Sequence, residues 1–149
     1  MTDYETTALQ AFLAIMAITV ALTLFSVLVG YVIMAFALMT FFRKVRIEPW
    51  IAWVPFYATW KWLEVGGQRG AFVLFSLIPY GSIVTSVFLY IGMYRSGIAF
   101  GRDAGFLVLG IFMPFVWAFM LGAEDAVYEP ERLAAAGYPP PLAGYGSAR

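Results

Sequence analysis

The hydrophobic positions of this chain form long continuous runs instead of alternating with polar positions. The first run, Leu9 to Phe42, contains one Gln, a few hydroxyl residues and no charge. Lipid offers no partner to backbone N–H and C=O groups, so an apolar run of about 18 residues or more is typical of a membrane-spanning helix. The pattern therefore predicts a first span over about residues 9–42, preceded by a polar tail at residues 1–8.

Two further apolar runs predict two more spans, at about residues 71–94 and 104–121. Each contains proline, which removes a backbone donor and clashes with the preceding helical turn. Broken membrane helices are tolerated where protein or a wet cavity satisfies the freed backbone groups. The breaks are compatible with a structural kink and with a transport site. This candidate helix-break site consists of Pro79, Tyr80, Gly81, Ser82 and Pro114.

The segment at about residues 50–65 is aromatic, and it is short for a span. Four rings recur at the spacing of one helical face: Trp50, Trp53, Tyr57 and Trp60. Such rings prefer the headgroup level of a bilayer, and Pro55 must kink the segment. Lys61 and Glu64 are spaced to form an ion pair. The pattern predicts an interfacial or half-inserted helix, with a short fourth span and an aromatic ligand platform as alternatives.

The charges that flank the first span predict its orientation. Arg43, Lys44 and Arg46 follow the span, whereas residues 1–8 carry Asp3 and Glu5 and no basic residue. Short loops rich in Lys and Arg stay in the cytoplasm. We therefore expect the N-terminus outside and the Arg43–Arg46 loop inside. This loop is either a stop-transfer flank or a contact to anionic lipid.

These segments together predict an all-α integral membrane protein of the cell membrane with several passes. It has three transmembrane helices and one interfacial or half-inserted aromatic helix, with four spans as the alternative. A single membrane domain covers residues 9–121. Residues 122–149 are rich in Pro and Gly and show no periodic apolar face, which predicts a disordered tail. Three spans put this tail inside, and four put it outside.

Composition narrows the chemistry that the chain can perform. The chain has no Cys and no His, which excludes disulfides, Cys/His metal sites and nucleophiles paired with His. Its formal net charge is zero, so no basic footprint for nucleic acid is present. We expect no enzymatic activity, no cofactor and no metal. The expected partner is the lipid bilayer, together with a homo-oligomer or another membrane protein.

Three functions remain open from the residues alone. The first is a membrane scaffold or accessory subunit that acts through helix packing. The second is a small oligomeric transporter or channel built around the breaks at Pro79 and Pro114. The third is an interfacial protein that binds anionic lipid through the Arg43–Arg46 loop and the aromatic stripe. We favour the first, because small residues line faces of the first span, the tail is predicted to be disordered and no catalytic motif is present.

A short motif occurs once in each apolar segment after the first. It places an apolar residue, Pro and an aromatic residue in sequence: Val54-Pro55-Phe56, Ile78-Pro79-Tyr80 and Met113-Pro114-Phe115. The three prolines are 24 and 35 residues apart. This spacing is too irregular to predict an internal repeat.

Several of these features resemble a family of small uncharacterised bacterial integral membrane proteins, a domain of unknown function that is often labelled "large exoprotein" in actinobacteria. The resemblance covers roughly Tyr31 to Tyr128. It implies a membrane location and no known activity, substrate or cofactor. The chain has Ala58 and Gly81 where the family tends to show Asn. The matching motifs are Trp53-Val54-Pro55-Phe56-Tyr57, Leu77-Ile78-Pro79, Phe100-Gly101-Arg102-Asp103-Ala104-Gly105-Phe106, and Leu121-Gly122 followed by Asp125 and Tyr128.

Overall fold

The structure is a computed structural model that describes residues 2–147, and this part of the chain is helical without strands. The predicted all-α class is therefore confirmed. Two 3₁₀-helices cover Pro49–Trp53 and Gly70–Leu77. The α-helices are α1 (Asp3–Lys44), α2 (Pro55–Val65), α3 (Gly81–Ala99), α4 (Gly105–Phe112), α5 (Pro114–Gly122) and α6 (Glu131–Ala135).

The chain divides into two compact units, Met1–Ile33 and Met34–Arg149. The described part of the first unit lies within α1 apart from Thr2, and its apolar side chains are exposed. Helix α1 is long and apolar enough to cross a membrane, and it is the one helix of the described residues for which this holds. The structure thus supports one candidate span, whereas the sequence predicted three.

The second unit has an aromatic core centred on Trp117 of α5. This side chain is fully buried, and its ring centroid lies 5.3 Å from that of Phe41 in α1 and 5.8 Å from that of Trp62 in α2. Aromatic pairs at such distances contribute beyond the area they bury. The core therefore joins the last turns of α1 to the helices that follow.

The predicted second span is a helical hairpin instead of one kinked helix. The 3₁₀-helix Gly70–Leu77 folds back on α3, and the rings of Phe72 and Phe88 stack with centroids 4.2 Å apart. The Thr85 hydroxyl donates a hydrogen bond of 2.9 Å to the Phe72 carbonyl. These contacts require the chain to reverse near Pro79. The predicted break near Pro79 is confirmed, but the segments on either side of it fold back on each other instead of continuing in one direction over residues 71–94.

The predicted third span also reverses, at Met113 and Pro114. The rings of Phe106 and Trp117 lie 6.3 Å apart, whereas a continuous helix would separate these positions by about 16 Å. Met113 has a φ of −137° and a ψ of 67°, which lies outside the helical region. Helices α4 and α5 therefore form a second hairpin: the predicted break at Pro114 is confirmed, and it reverses the chain instead of bending one span over residues 104–121.

The aromatic segment contains a reversal as well. The Trp53 ring lies 5.1 Å from that of Phe36, about two turns before the end of α1. The Glu64 carbonyl, near the end of α2, instead binds the same tail that binds Val45 after the end of α1. A 3₁₀-helix ends at Trp53, Val54 is extended, and α2 begins at Pro55, where proline is favoured because its missing N–H is not needed. The predicted pair of Lys61 and Glu64 is confirmed, with 2.7 Å between Nζ and Oε2. Each of the three motifs with apolar residue, Pro and aromatic residue thus lies at a reversal of the chain.

Glycine permits the closest approach between helices of the second unit. Gly66, after the end of α2, lies against Gly92 of α3. A Cβ atom on Gly66 would clash with the Gly92 Cα and would lie 2.9 Å from its carbonyl carbon. Backbone therefore contacts backbone at this crossing.

The C-terminal segment is packed, which differs from the disordered tail that its composition predicts. The Leu142 N–H donates to the Glu64 carbonyl and the Tyr145 N–H to the Val45 carbonyl, each at 2.8 Å. Pro141 is buried. The tail is held through its backbone groups, so it needs no periodic apolar face. Residues 148 and 149 lie outside the described residues.

Candidate functional site

The three reversals point toward one end of the second unit, which we call the apolar end. Pro55, at the first reversal, borders the same groove as Ser76 and Ser82, on either side of the second. Gly110 of α4 lies against the Met93 side chain of α3. Because α4 starts beyond the end of α3 and then reaches back to Met93, it runs back along α3. Its reversal therefore points in the same direction.

The charged side chains of the described second unit lie away from the apolar end. Residues 50–60, 70–94 and 104–123 lead to and from the reversals, and they contain no charge. Most of the charged residues lie in turns or near helix ends, and the Lys44 ammonium joins two of these regions by donating a 3.0 Å hydrogen bond to the Ala126 carbonyl. We call this region the polar end.

The basic loop holds the tail at the polar end. The Lys44 ammonium donates hydrogen bonds of 3.0 Å to the carbonyls of Glu124 and Ala126. The Arg46 guanidinium lies over the Tyr145 ring, 4.8 Å from its centroid. Arg43 is exposed. Two of the three predicted lipid contacts therefore have partners within the protein.

The aromatic stripe is divided between surface and interior. Trp50, Trp53 and Tyr57 are exposed, with 6.1 Å between the ring centroids of Trp50 and Tyr57. Trp60 instead packs over Gly70, and its indole N–H donates a 2.7 Å hydrogen bond to Glu64 Oε1. Three of the four predicted rings are thus exposed, and the fourth is half-buried and held by these two contacts.

The second reversal is the most exposed part of the predicted helix-break site. Tyr80 is 85% exposed and adopts a left-handed φ of 63°, which is unusual for a residue other than glycine. The Gly81 N–H donates a 2.8 Å hydrogen bond to the Ile78 carbonyl, and a Cβ on Gly81 would clash with the Phe75 carbonyl. Pro79 is exposed, whereas Pro114, at the third reversal, is half-buried.

A groove lined by hydroxyl groups lies beside the first two reversals, between α2 and the hairpin of α3. We call it the hydroxyl groove; its volume is about 280 Å³. Its hydroxyl residues come from three elements: Thr59, Ser76, Ser82, Thr85 and Ser86. The remaining lining residues are Pro55, Phe56 and Val73. Sequence reasoning singled out only Ser82, because the five residues become neighbours only when the hairpin closes.

An apolar groove adjoins the hydroxyl groove and shares Phe56 and Val73 with it. Its volume is about 400 Å³. The rest of its wall is formed by Tyr57, Trp60, Leu74 and Leu77. The two grooves together offer hydrogen-bonding groups beside a purely hydrocarbon surface.

One family model matches the chain, over residues 50–130, and it is described as a family of unknown function (DUF5684). The chain belongs to this family. The DUF5684 region contains all three proline reversals and all five residues of the hydroxyl groove. No curated protein and no solved structure matches the chain. The resemblance is thus confirmed as one to an uncharacterised domain family, while the bacterial and membrane features that it implied stay predictions.

Proposed function

We propose that the protein is an integral membrane scaffold or accessory subunit. In this proposal α1 crosses the bilayer, and the three hairpins of the second unit enter it from the cytoplasmic side without crossing. The observation that carries the proposal is that all three reversals point away from the charged side chains. The polar end then faces water and offers the surface on which a protein partner can dock.

Helix lengths support hairpins that enter the bilayer and return. Helices α2, α4 and α5 have 11, 8 and 9 residues, so they extend over about 17, 12 and 14 Å, against a hydrocarbon core of about 30 Å. Helix α3, with 19 residues, extends over about 28 Å, but its last turns include Arg95. Exposed apolar side chains at the reversals, such as Leu77 and Phe112, suit contact with lipid. We therefore replace the predicted three spans by one span and three re-entrant hairpins.

Backbone hydrogen bonding at the reversals fits a lipid environment, where an unpaired N–H or C=O is costly. At the second reversal the Ile78 N–H donates to the Phe75 carbonyl at 3.0 Å. At the third, the Met113 N–H donates to the Leu109 carbonyl at 2.7 Å. The Val54 N–H, at the first, donates to the Ile51 carbonyl at 3.0 Å. Each turn thus satisfies part of its own backbone.

Binding of anionic lipid is the second candidate function. The exposed Arg43 and the exposed rings of Trp50 and Trp53 favour it. It ranks below the scaffold because Lys44 and Arg46 contact the tail. Only Arg43 of the three basic residues in the loop is then left to bind an anionic headgroup.

Site-specific photo-crosslinking in the native membrane tests the scaffold. A benzophenone amino acid is placed at Glu131, an exposed position of the polar end, or at Tyr80, at the apolar end. The scaffold predicts a discrete protein adduct from position 131 and lipid adducts from position 80. The purified partner should then bind the reconstituted protein, and charge reversal at the polar end should weaken that binding.

Reconstitution of the purified protein into liposomes can give results that contradict the scaffold. Liposomes that contain the purified protein should be no more permeable to small ions and solutes than empty liposomes. Solute flux that is lost on changing Pro79 or Gly81, together with no adduct from the polar end, would replace the scaffold by the transporter. Co-purification of anionic lipid with the reconstituted protein that is lost in Arg43→Gln would favour the second candidate.

A further inference from the structure

We propose that the hydroxyl groove binds an uncharged lipid with hydroxyl and ester groups, of the diacylglycerol type. The hydroxyl groove would take the glycerol portion and the adjoining apolar groove an acyl chain. This inference rests on the proposed function, because the groove meets such a lipid only if the apolar end lies in the bilayer.

The distribution of hydroxyl residues is the first support. Residues 49–95 contain five Ser and Thr residues, and all five line this groove. They come from α2, the 3₁₀-helix Gly70–Leu77 and α3, so no single helical periodicity places them together. Polar groups inside a membrane are costly, and they commonly mark a ligand path or a binding site.

The hydrogen-bonding state of these hydroxyls is the second support. Thr59, Ser76 and Thr85 donate to backbone carbonyls at distances from 2.6 to 3.0 Å. Each retains acceptor lone pairs, since a hydroxyl group has one donor and two acceptor positions. The hydroxyl groups of Ser82 and Ser86 make no hydrogen bond to other described residues, so each can both donate and accept.

The absence of charge decides the class of ligand. None of the described residues that line either groove is charged. A phosphate or carboxylate would be buried there without a cation, which is unfavourable in an apolar surrounding. Hydroxyl and ester groups match the serine and threonine hydroxyls without that penalty.

Shape is the third support. The two grooves measure about 280 and 400 Å³ and share Phe56 and Val73. Ligand pockets usually measure about 300 to 1,000 Å³ and are mostly apolar with a few polar groups that fix orientation. A polar compartment beside an apolar one suits a molecule with a short polar portion and a long hydrocarbon chain.

The test is photo-crosslinking of the full-length protein in liposomes with a diacylglycerol that carries a diazirine in one acyl chain. A phosphatidic acid with the same chain is the comparison probe, and mass spectrometry locates the adducts. We expect diacylglycerol adducts on residues that line the two grooves. The double variant Ser82→Ala, Ser86→Ala should lower that yield about five- to tenfold, because two hydrogen bonds are lost. Ser96→Ala, in the same helix and outside the groove, should leave the yield unchanged.

Two outcomes would overturn the inference. Equal labelling by both probes that is insensitive to the double variant would mean contact with bulk lipid only. Stronger labelling of the groove residues by phosphatidic acid than by diacylglycerol would show that the groove prefers an anionic headgroup. Failure of the proposed function is recognised separately, since neither probe would then label any residue near the reversals.

Discussion

The contact between Gly66 and Gly92 gives a sharp prediction for stability. Gly66 has a φ of −76°, which alanine adopts freely, so Gly66→Ala introduces a steric effect without backbone strain. The new Cβ would meet the Gly92 Cα and would lie 2.9 Å from its carbonyl carbon and 3.0 Å from its oxygen. All three atoms belong to the α3 backbone and cannot rotate away.

The cost follows from this geometry. Overpacking of a well-packed site destabilises by about 1–3 kcal/mol, and we expect the upper part of that range because a helix must move. The Gly92→Ala Cβ would lie 3.3 Å from the Gly66 Cα, so its effect should be smaller. Gly30→Ala meets no atom within 4 Å, and in a helix interior it should stabilise by about 0.5–1 kcal/mol.

The free energy of unfolding would be measured in detergent micelles by denaturant titration, with tryptophan fluorescence as the signal. Trp62 and Trp117 are buried in the core and report its loss. The expected order of stability is Gly30→Ala, wild type, Gly92→Ala and Gly66→Ala. A Gly66→Ala protein as stable as the wild type would refute the close contact of α2 and α3.

Three other results are expected. Trp117→Ala should lower the free energy of unfolding by about 3–5 kcal/mol, because the ring fills the core. Trp117→Phe should cost much less, since the buried Trp117 Nε1 has no partner among the described residues. An equal loss of stability in the two variants, measured by thermal unfolding, would contradict this. Lys44→Met should loosen the tail and speed tryptic cleavage after Arg132. Arg43→Met makes the same change of charge and should leave the cleavage rate unchanged. Equal cleavage rates in the two variants would refute the proposal that Lys44 holds the tail. Burial raises the pKa of Tyr128 above its ordinary value of 10.0, and the negative charge of Glu131 adds to the shift. The folded state therefore holds this proton more tightly than the unfolded state, so the free energy of unfolding should fall as pH rises above about 10, and Tyr128→Phe should flatten that fall.

The sequence located the breaks of the helices but not their form. Pro79 and Pro114 were expected to interrupt helices, because proline removes a donor. Whether the chain kinks or reverses depends on tertiary contacts, such as the stacking of Phe72 on Phe88 and the dihedral angles of Met113. The local pattern of residues shows neither the ring stacking nor the dihedral angles, so the sequence predicted two spans where the structure has two hairpins.

The tail and the hydroxyl groove show a second limit of prediction from sequence: contacts between distant segments leave no local pattern. Composition predicted disorder after residue 122, yet the tail pairs through the backbone N–H groups of Leu142 and Tyr145, which no side-chain pattern reveals. The hydroxyl groove joins residues from three elements. Its one sequence signal is that all Ser and Thr of residues 49–95 fall near the first two proline motifs. By contrast, the pair of Lys61 and Glu64 lies within one helix, and spacing alone predicted it.

The side of the membrane that each turn reaches tests the proposed topology most directly. The chain has no cysteine, so single-cysteine variants at Arg69, Tyr80 and Asp103 can be labelled cleanly in sealed vesicles by a membrane-impermeant maleimide. One span with three re-entrant hairpins predicts that positions 69 and 103 react from the same side, the cytoplasmic one, and that position 80 reacts from neither. Labelling of positions 69 and 103 from opposite sides would show that the hairpin between them crosses, and would contradict the account.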